Sequence, residues 1–410
     1  MREQELLTPV YLVDEGKIIQ NLKILQEVEK DTGGKILLAQ KAFSLYKLYP
    51  LIGQYLAGAT ASGLYEARLA HEEMQKPWQL AWGRQSSPKL NNTSDQQALP
   101  PNEWADLPAG CPENHVFCPA YTPAEMEELC QICDHVIFNS LGQLELHRPC
   151  WEKAPVQAGL RINPEFSTQD HAIYDPCAPG SRLGLRREQL PDHLPPGVTG
   201  LHVHTLCEQG FEPLLATFRA VEAKFGSLLH ECQWLNLGGG HHITKPGYDV
   251  AGLKELLNYI QAKYQVQVYL EPGEAIALRA GSLLTTVMDV VENTLPILIL
   301  DTSAECHMPD VIEMPYRPPL KGGGEPGAKN VTCRLSSRTC LAGDVIGDYS
   351  FDRQPRIGDR LEFEDMAIYT MVKNNTFNGM PLPDIAVKHP DGSCQVIKRF
   401  GYEDFKERLS

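Results

Sequence analysis

The chain has 410 residues, 42% hydrophobic and 22% charged, enough apolar material for one large domain and a smaller companion. Its formal charge of −15 argues against nucleic acid or an anionic membrane as a partner. The opening MREQELLTP lacks the apolar core of a secretory leader, and the longest aliphatic run, LPILIL at 295–300, is too short to cross a bilayer, so a cytoplasmic location is expected.

TPVYLVD (8–14) reads as a strand, and the next segment places Ile18, Ile19, Leu22, Leu25 and Val28 at helical spacing. Short apolar runs then alternate with helical patterns. ILLAQ (36–40), AGATAS (57–62), HVFCPA (115–120), HVIFNS (135–140), AGLRIN (158–163), GLHVHT (200–205), WLNLGGG (234–240) and VQVYLEPG (266–273) read as strands. Helices such as AEMEELCQIC (124–133) and EPLLATFRAVEAKFG (212–226) lie between them. Eight nearly continuous apolar strands in βα alternation predict a (β/α)8 TIM-type barrel over 35–275, with 1–34 joining it to a second domain.

From about 276 the long helical patterns stop. SLLTTVMDVVE, NVTCRLSS, DRLEFED and AIYTMV read as strands, which predicts a C-terminal β-sandwich or barrel over 276–410, completed by the N-terminal strand. Two segments break the pattern. Residues 76–114 carry six prolines and Trp78, Trp82 and Trp104, as a long barrel-loop insertion or a docking segment would, and KGGGEPG (321–327) reads as a mobile loop. The twelve cysteines form no framework. Cys130 and Cys133 have CxxC spacing without a second pair, so reduced thiols and no metal are expected.

In a βα barrel the strand ends form one face, and that face carries the active site. Here the ends bring Lys41, Ser62, Arg161, His202, Gly238–Gly240 and Glu271. Lys41, closing the buried run ILLAQ, is either a surface charge or an amine nucleophile, and His202 and His204 flank a valine, so either could be a core histidine. A lysine, a triple glycine before a helix and a carboxylate at a strand end suit pyridoxal 5'-phosphate. That cofactor takes an amine for its Schiff base, backbone N–H groups for its phosphate and an acid for its ring nitrogen.

In this order AQKAF, ATASGLYEA, LRINP, SRLG, HVHT, LGGG, EPGE, CLAGD and YTMVKNNTFNG resemble the fold-type III pyridoxal-phosphate decarboxylases, the alanine racemase/ornithine decarboxylase class, over nearly the whole chain. HVHTLCEQ, EPGEA, DTSAECHMPDVIEMPYRP and RTCLAGD resemble the branch acting on carboxynorspermidine or carboxyspermidine in polyamine biosynthesis. The resemblance implies that Lys41 holds the cofactor, Glu271 pairs with its ring nitrogen, His202 stacks on its face and Arg161 lies near its hydroxyl. It implies that Gly238, Gly239, Gly240 and Tyr369 hold the phosphate. It also implies a homodimer with shared sites, in which Cys340 of the second copy protonates the product and Asp344 lies beside it.

Two departures bear on the substrate. The class usually carries arginine after EPG, where this chain has Glu274, and an acid after the catalytic cysteine, where it has Leu341. Exchanging a cation for an anion favours a substrate ammonium through a charge-assisted hydrogen bond. Glu274 and Asp310 are therefore expected to bind the amines of a carboxylated polyamine, with Leu341 against its methylenes; Glu274 could instead only cap a helix. The alternatives are a diaminopimelate, ornithine or arginine decarboxylase, a racemase, or a pyridoxal-phosphate-binding protein without turnover. EPGE and CLAGD speak against the first, Cys340 in the region of a racemase's second base against the second, and the C-terminal β domain against the last.

Overall fold

The computed structural model describes residues 1–82 and 110–410; the stretch 83–109, with Trp104 and most of the proline-rich insertion, lies outside the described residues. The chain divides into two compact units, residues 21–276 and residues 1–20 with 277–410.

The first strand, β1 (Val10–Asp14), belongs to the second of these units, and the next eight close a barrel. They are β2 (Lys35–Ala39), β3 (Gly58–Ala61), β4 (Glu113–Phe117), β5 (His135–Phe138), β6 (Gln157–Arg161), β7 (Val198–His202), β8 (Trp234–Asn236) and β9 (Gln267–Leu270). Each pairs in parallel with the next, and Lys35↔Tyr269 and Ile36↔Leu270 join β2 to β9. The apolar runs are continuous because both faces of these strands are covered: Ile36, Leu37, Leu38, Val136, Ile137 and Phe138 are all buried. The helix Phe211–Leu229 buries Leu214, Phe218, Val221, Phe225 and Leu228, spaced by three and four, so one stripe faces inward. Each such side chain contributes about 1.5–3 kcal/mol of transfer free energy.

Two glycines set the filling of the barrel interior. Gly159 and Gly200 pair across β6 and β7, and a Cβ on either would stand 2.1–2.2 Å from the Trp234 ring. The indole fills the space those side chains would have taken and packs with Leu37, Ile137 and Tyr269. Nearer the strand starts lies a polar group, with His115 and His135 stacked at 3.9 Å and His115 Nε2 2.9 Å from Glu113. Lys35 pairs with the same carboxylate, and burial pushes the His135 imidazole down to about 2. These groups sit at the end of a barrel that serves stability.

The second unit holds a mixed sheet of β1 with β10 (Gly281–Glu292), β11 (Pro296–Leu300), β12 (Val331–Ser337), β13 (Val345–Phe351), β14 (Arg360–Glu364), β15 (Asp384–Lys388) and β16 (Cys394–Lys398). Its order is β13-β12-β11-β10-β1-β15-β16, with β14 also paired to β10. β1 is interior, antiparallel to β10 (Val10↔Leu284) and parallel to β15 (Val10↔Asp384). Leu6, Val10, Leu12, Leu284, Ala386 and Cys394 pack beneath it.

Two expectations are corrected here. AIYTMV forms no strand: Tyr369 has φ 52, a left-handed conformation that ends any ladder, and Thr370–Lys373 turns helical. KGGGEPG is pinned to the sheet by Leu320↔Phe363 and Gly324↔Ser350 bridges, and Lys329 Nζ donates to the Gly322 carbonyl at 2.9 Å.

Candidate active site

The barrel brings Lys41, Arg161, His202, the glycine loop, Glu271 and Glu274 to the end where its strands finish. Lys41 follows β2 by two residues. Gln40 before it is fully buried, accepting from Tyr49 Oη at 3.1 Å and donating its backbone N–H to Thr60 O at 3.2 Å, which fixes where the lysine leaves the strand. Lys41 is an exposed residue, yet protein crowds around its amine. Desolvation, then the Arg161 guanidinium, push its amine below the ordinary lysine value, while Glu271, Cys207 and Glu274 pull the other way.

Arg161 ends β6, buried, with Nη2 donating to His204 O at 2.9 Å and its guanidinium 4.5 Å from the Phe117 ring centre. Burial lowers it to about 10. His202 ends β7 and stacks on the same Phe117 ring, the two centroids 5.4 Å apart. Its Nε2 lies 3.2 Å from Glu271 Oε2, and its Nδ1 meets no partner among the described residues. Burial holds this imidazole below its ordinary value, so Nε2 carries the proton and donates to the carboxylate. Burial works to raise the Glu271 carboxyl, but His202 and Asn236 outweigh it and hold it at about 2. Glu271 is therefore an anion with both oxygens engaged, Oε1 accepting from Asn236 Nδ2 at 2.8 Å.

The loop after β8 needs its glycines for backbone packing. A Cβ on Gly239 would lie 2.1 Å from Glu271 O, and one on Gly240 1.9 Å from Leu206 O. Two of its amides are already satisfied: Gly238 N–H donates to Asn236 Oδ1 at 2.8 Å and Gly239 N–H to His204 Nδ1 at 2.9 Å. Burial keeps His204 neutral, which is what lets Nδ1 accept. Of the three amides expected to cradle a phosphate, two therefore have partners inside the protein.

Glu274 opens the short helix Glu274–Ala277 and pairs with His242 Nε2, while His242 Nδ1 has no partner among the described residues. The remaining expected residues belong to the sheet unit. Cys340 is exposed, its N–H donating to Asn378 Oδ1 at 2.7 Å. Asp310 pairs with Lys373, which also reaches Glu313 at 2.5 Å. Tyr369 stands where the chain turns before Thr370–Lys373. Asp344, expected at the substrate, is buried and accepts from Ser303, Ser337 and Thr339 hydroxyls and from the Ala304 and Glu305 amides, contacts that all lie within the sheet unit.

Asn236, His204, Phe117 and His242 were not singled out from sequence as parts of this site, though HVHT contains His204 and LNLGGG contains Asn236. A lysine whose amine is pushed below its ordinary value, a buried anion and a glycine loop on one barrel face define a pyridoxal-type site. The family described as pyridoxal-dependent decarboxylase, C-terminal sheet domain, matches residues 10–367, and the chain belongs to it. It is 38% identical to a carboxyaminopropylagmatine decarboxylase of Synechocystis sp., covering 100% of this chain and 97% of that one. It is 36% identical to a carboxynorspermidine/carboxyspermidine decarboxylase of Campylobacter jejuni over 99% of each. The crystal structure of carboxynorspermidine decarboxylase from Campylobacter jejuni, complexed with norspermidine, is 36% identical and superposes with a TM-score of 0.83 over 98% of this chain and 100% of that one. A diaminopimelate decarboxylase from Helicobacter pylori shares the fold at 18% identity, TM-score 0.75, covering 99% of this chain and 98% of that one.

Proposed function

We propose that this decarboxylase takes a carboxylated polyamine, carboxynorspermidine or carboxyspermidine, and releases norspermidine or spermidine and CO₂. The observation that carries the reading is Glu274, a carboxylate in the barrel mouth whose charge bears on the Lys41 amine. An anion there suits a chain bearing ammonium groups and would repel a second substrate carboxylate.

The residues fit pyridoxal 5'-phosphate: a lysine tuned toward its neutral form, a carboxylate held as an anion, and a loop that only glycine can form. Bound there, the cofactor supplies the electron sink for loss of CO₂. Lys41 would be the amine that anchors it, and the Glu271 carboxylate would pair with its ring nitrogen and favour the protonated form of that nitrogen. His202, stacked on Phe117, would lie against the cofactor ring, and Arg161, beside the same phenyl ring, would serve its hydroxyl. The phosphate would take the Gly240 end of the loop; Tyr369, the further donor the resemblance implies, belongs to the sheet unit. Cys340 of a second copy delivers the proton to the product, in a homodimer with shared sites. Asp310, in the sheet unit, would bind a substrate amine in place of Lys373, whose ammonium has the same chemistry. Twelve free cysteines support a reducing, cytoplasmic setting.

A second reading has its own support in the 38% identical relative named for carboxyaminopropylagmatine. That compound ends in a guanidine group where the others end in an amine, and Glu274 suits either. CO₂ release is to be measured with all three compounds and with diaminopimelate. Activity on diaminopimelate alone would sink the polyamine reading. In Glu274→Gln the KM for the preferred polyamine rises about tenfold or more, the loss of one hydrogen bond to a charged group, while the visible absorbance of the bound cofactor stays the same. An unchanged KM removes Glu274 from amine binding.

A further inference from the structure

The buried carboxylate and the glycine loop are joined by one side chain, that of Asn236. It is the last residue of β8, fully buried, with its backbone in register between His202 of β7 and Tyr269 of β9. Its Oδ1 accepts the Gly238 N–H at 2.8 Å and its Nδ2 donates to Glu271 Oε1 at 2.8 Å. Chemistry alone settles the orientation of this amide. A backbone N–H can only donate, so the atom facing Gly238 is oxygen, and the atom facing the carboxylate is therefore nitrogen. The ring of contacts closes through the backbone, where Glu271 N–H donates to the Gly238 carbonyl at 2.7 Å.

We infer that Asn236 is a positioning residue of the cofactor site, holding the Glu271 carboxylate and the start of the phosphate loop in one fixed register. A pyridoxal phosphate has its ring nitrogen and its phosphate at a set separation, so a site that fixes both partners in advance avoids the ordering cost of assembling them on binding. Asn236 also supplies one of the two side-chain donors that keep Glu271 ionised against burial. Ser, Leu or Ala cannot make both contacts. Aspartate matches asparagine in shape but has no N–H for Glu271, and would set carboxylate against carboxylate so that one of the two must take a proton. The inference rests on the pyridoxal chemistry of the family and not on the identity of the amine substrate, so a wrong choice of polyamine leaves it standing.

The test uses full-length holoenzyme carrying Asn236→Asp or Asn236→Ala, with circular dichroism as a check of fold. Cofactor loss on dilution, the visible spectrum of the bound cofactor across pH, and the kcat–pH profile are read together. The expected result in both variants is cofactor affinity lowered roughly tenfold to a hundredfold, the effect of losing a hydrogen bond to a charged group. The acid limb of the profile and the spectral transition also move to higher pH, because a Glu271 carboxyl with fewer donors loses its charge sooner as pH falls. Unmoved spectrum and acid limb in Asn236→Asp overturn the inference, including the case where cofactor is lost without them, which is a merely structural effect. If Asn236→Asp does not fold, the same unmoved readings in Asn236→Ala overturn it, and if neither variant folds the residue is structural and the inference fails.

Discussion

Glu29 lies on the helix Glu15–Thr32, and its Oε1 accepts the backbone N–H of Ile36 at 2.6 Å and of Ala57 at 3.2 Å. Burial nevertheless dominates and raises its carboxyl from 4.5 to about 7, with those amides and Lys35 opposing and Glu113 reinforcing. A carboxyl whose folded value lies above its unfolded one favours folding while protonated, and that advantage is lost as pH rises from about 4.5 through about 7. Glu29→Gln keeps the accepting oxygen and removes the charge. The expected outcome is a higher melting temperature at pH 8 and a much smaller gain at pH 5; equal gains at both pH values would show that Glu29 is not held ionised against burial.

Asp344 acts at the scale of elements. Its carboxylate caps the short helix Ala304–His307 through the Ala304 and Glu305 amides and ties in Ser303, while Ser337 at the end of β12 and Thr339 in the following turn donate to the same group. Removing it strands several buried donors, each costing about 1–3 kcal/mol. Asp344→Ala is therefore expected to lower the denaturation midpoint of the sheet unit strongly, and Asp344→Asn, which retains one accepting oxygen, to lower it less. The substrate KM, measured at a temperature where the variant stays folded, is expected to match wild type. A raised KM with unaltered melting would return Asp344 to the substrate.

For the whole molecule, closing the barrel depends on how its interior is filled. Gly159 and Gly200 leave room for Trp234, whose Nε1 donates to Thr199 Oγ1 at 3.0 Å. Gly200→Ala would drive a methyl into the indole and is expected to cost about 1–3 kcal/mol by overpacking. Chemical denaturation of the holoenzyme reads this directly, and pairing the change with Trp234→Phe is expected to recover part of the loss. Wild-type stability of Gly200→Ala would mean the indole has room to move. The same close packing explains why β8 can place Asn236 accurately, since the strand that carries it is anchored at Trp234 two residues earlier.

The eight barrel strands were legible in the sequence because strands buried on both faces must be apolar throughout, as Ile36–Ala39 and Val136–Phe138 are. Lys41, Arg161, His202 and Glu271 were legible for a related reason, since each interrupts or ends such a run with a group that burial alone would not tolerate. AIYTMV misled because an apolar run carries no mark of the left-handed turn at Tyr369. The partners of charged and polar groups were not legible either. Glu274 meets His242 from 32 residues away and Asp344 meets Ser303 from 41, and no local pattern records such encounters. Sequence by itself determined which side chains must be buried and which chemistry they bring. Only the tertiary structure decided which donors those groups receive, and with them that two glycine amides are spent on Asn236 and His204. Burial follows from residue type along the chain, whereas hydrogen-bond pairing depends on distances of a few tenths of an ångström between segments far apart in it.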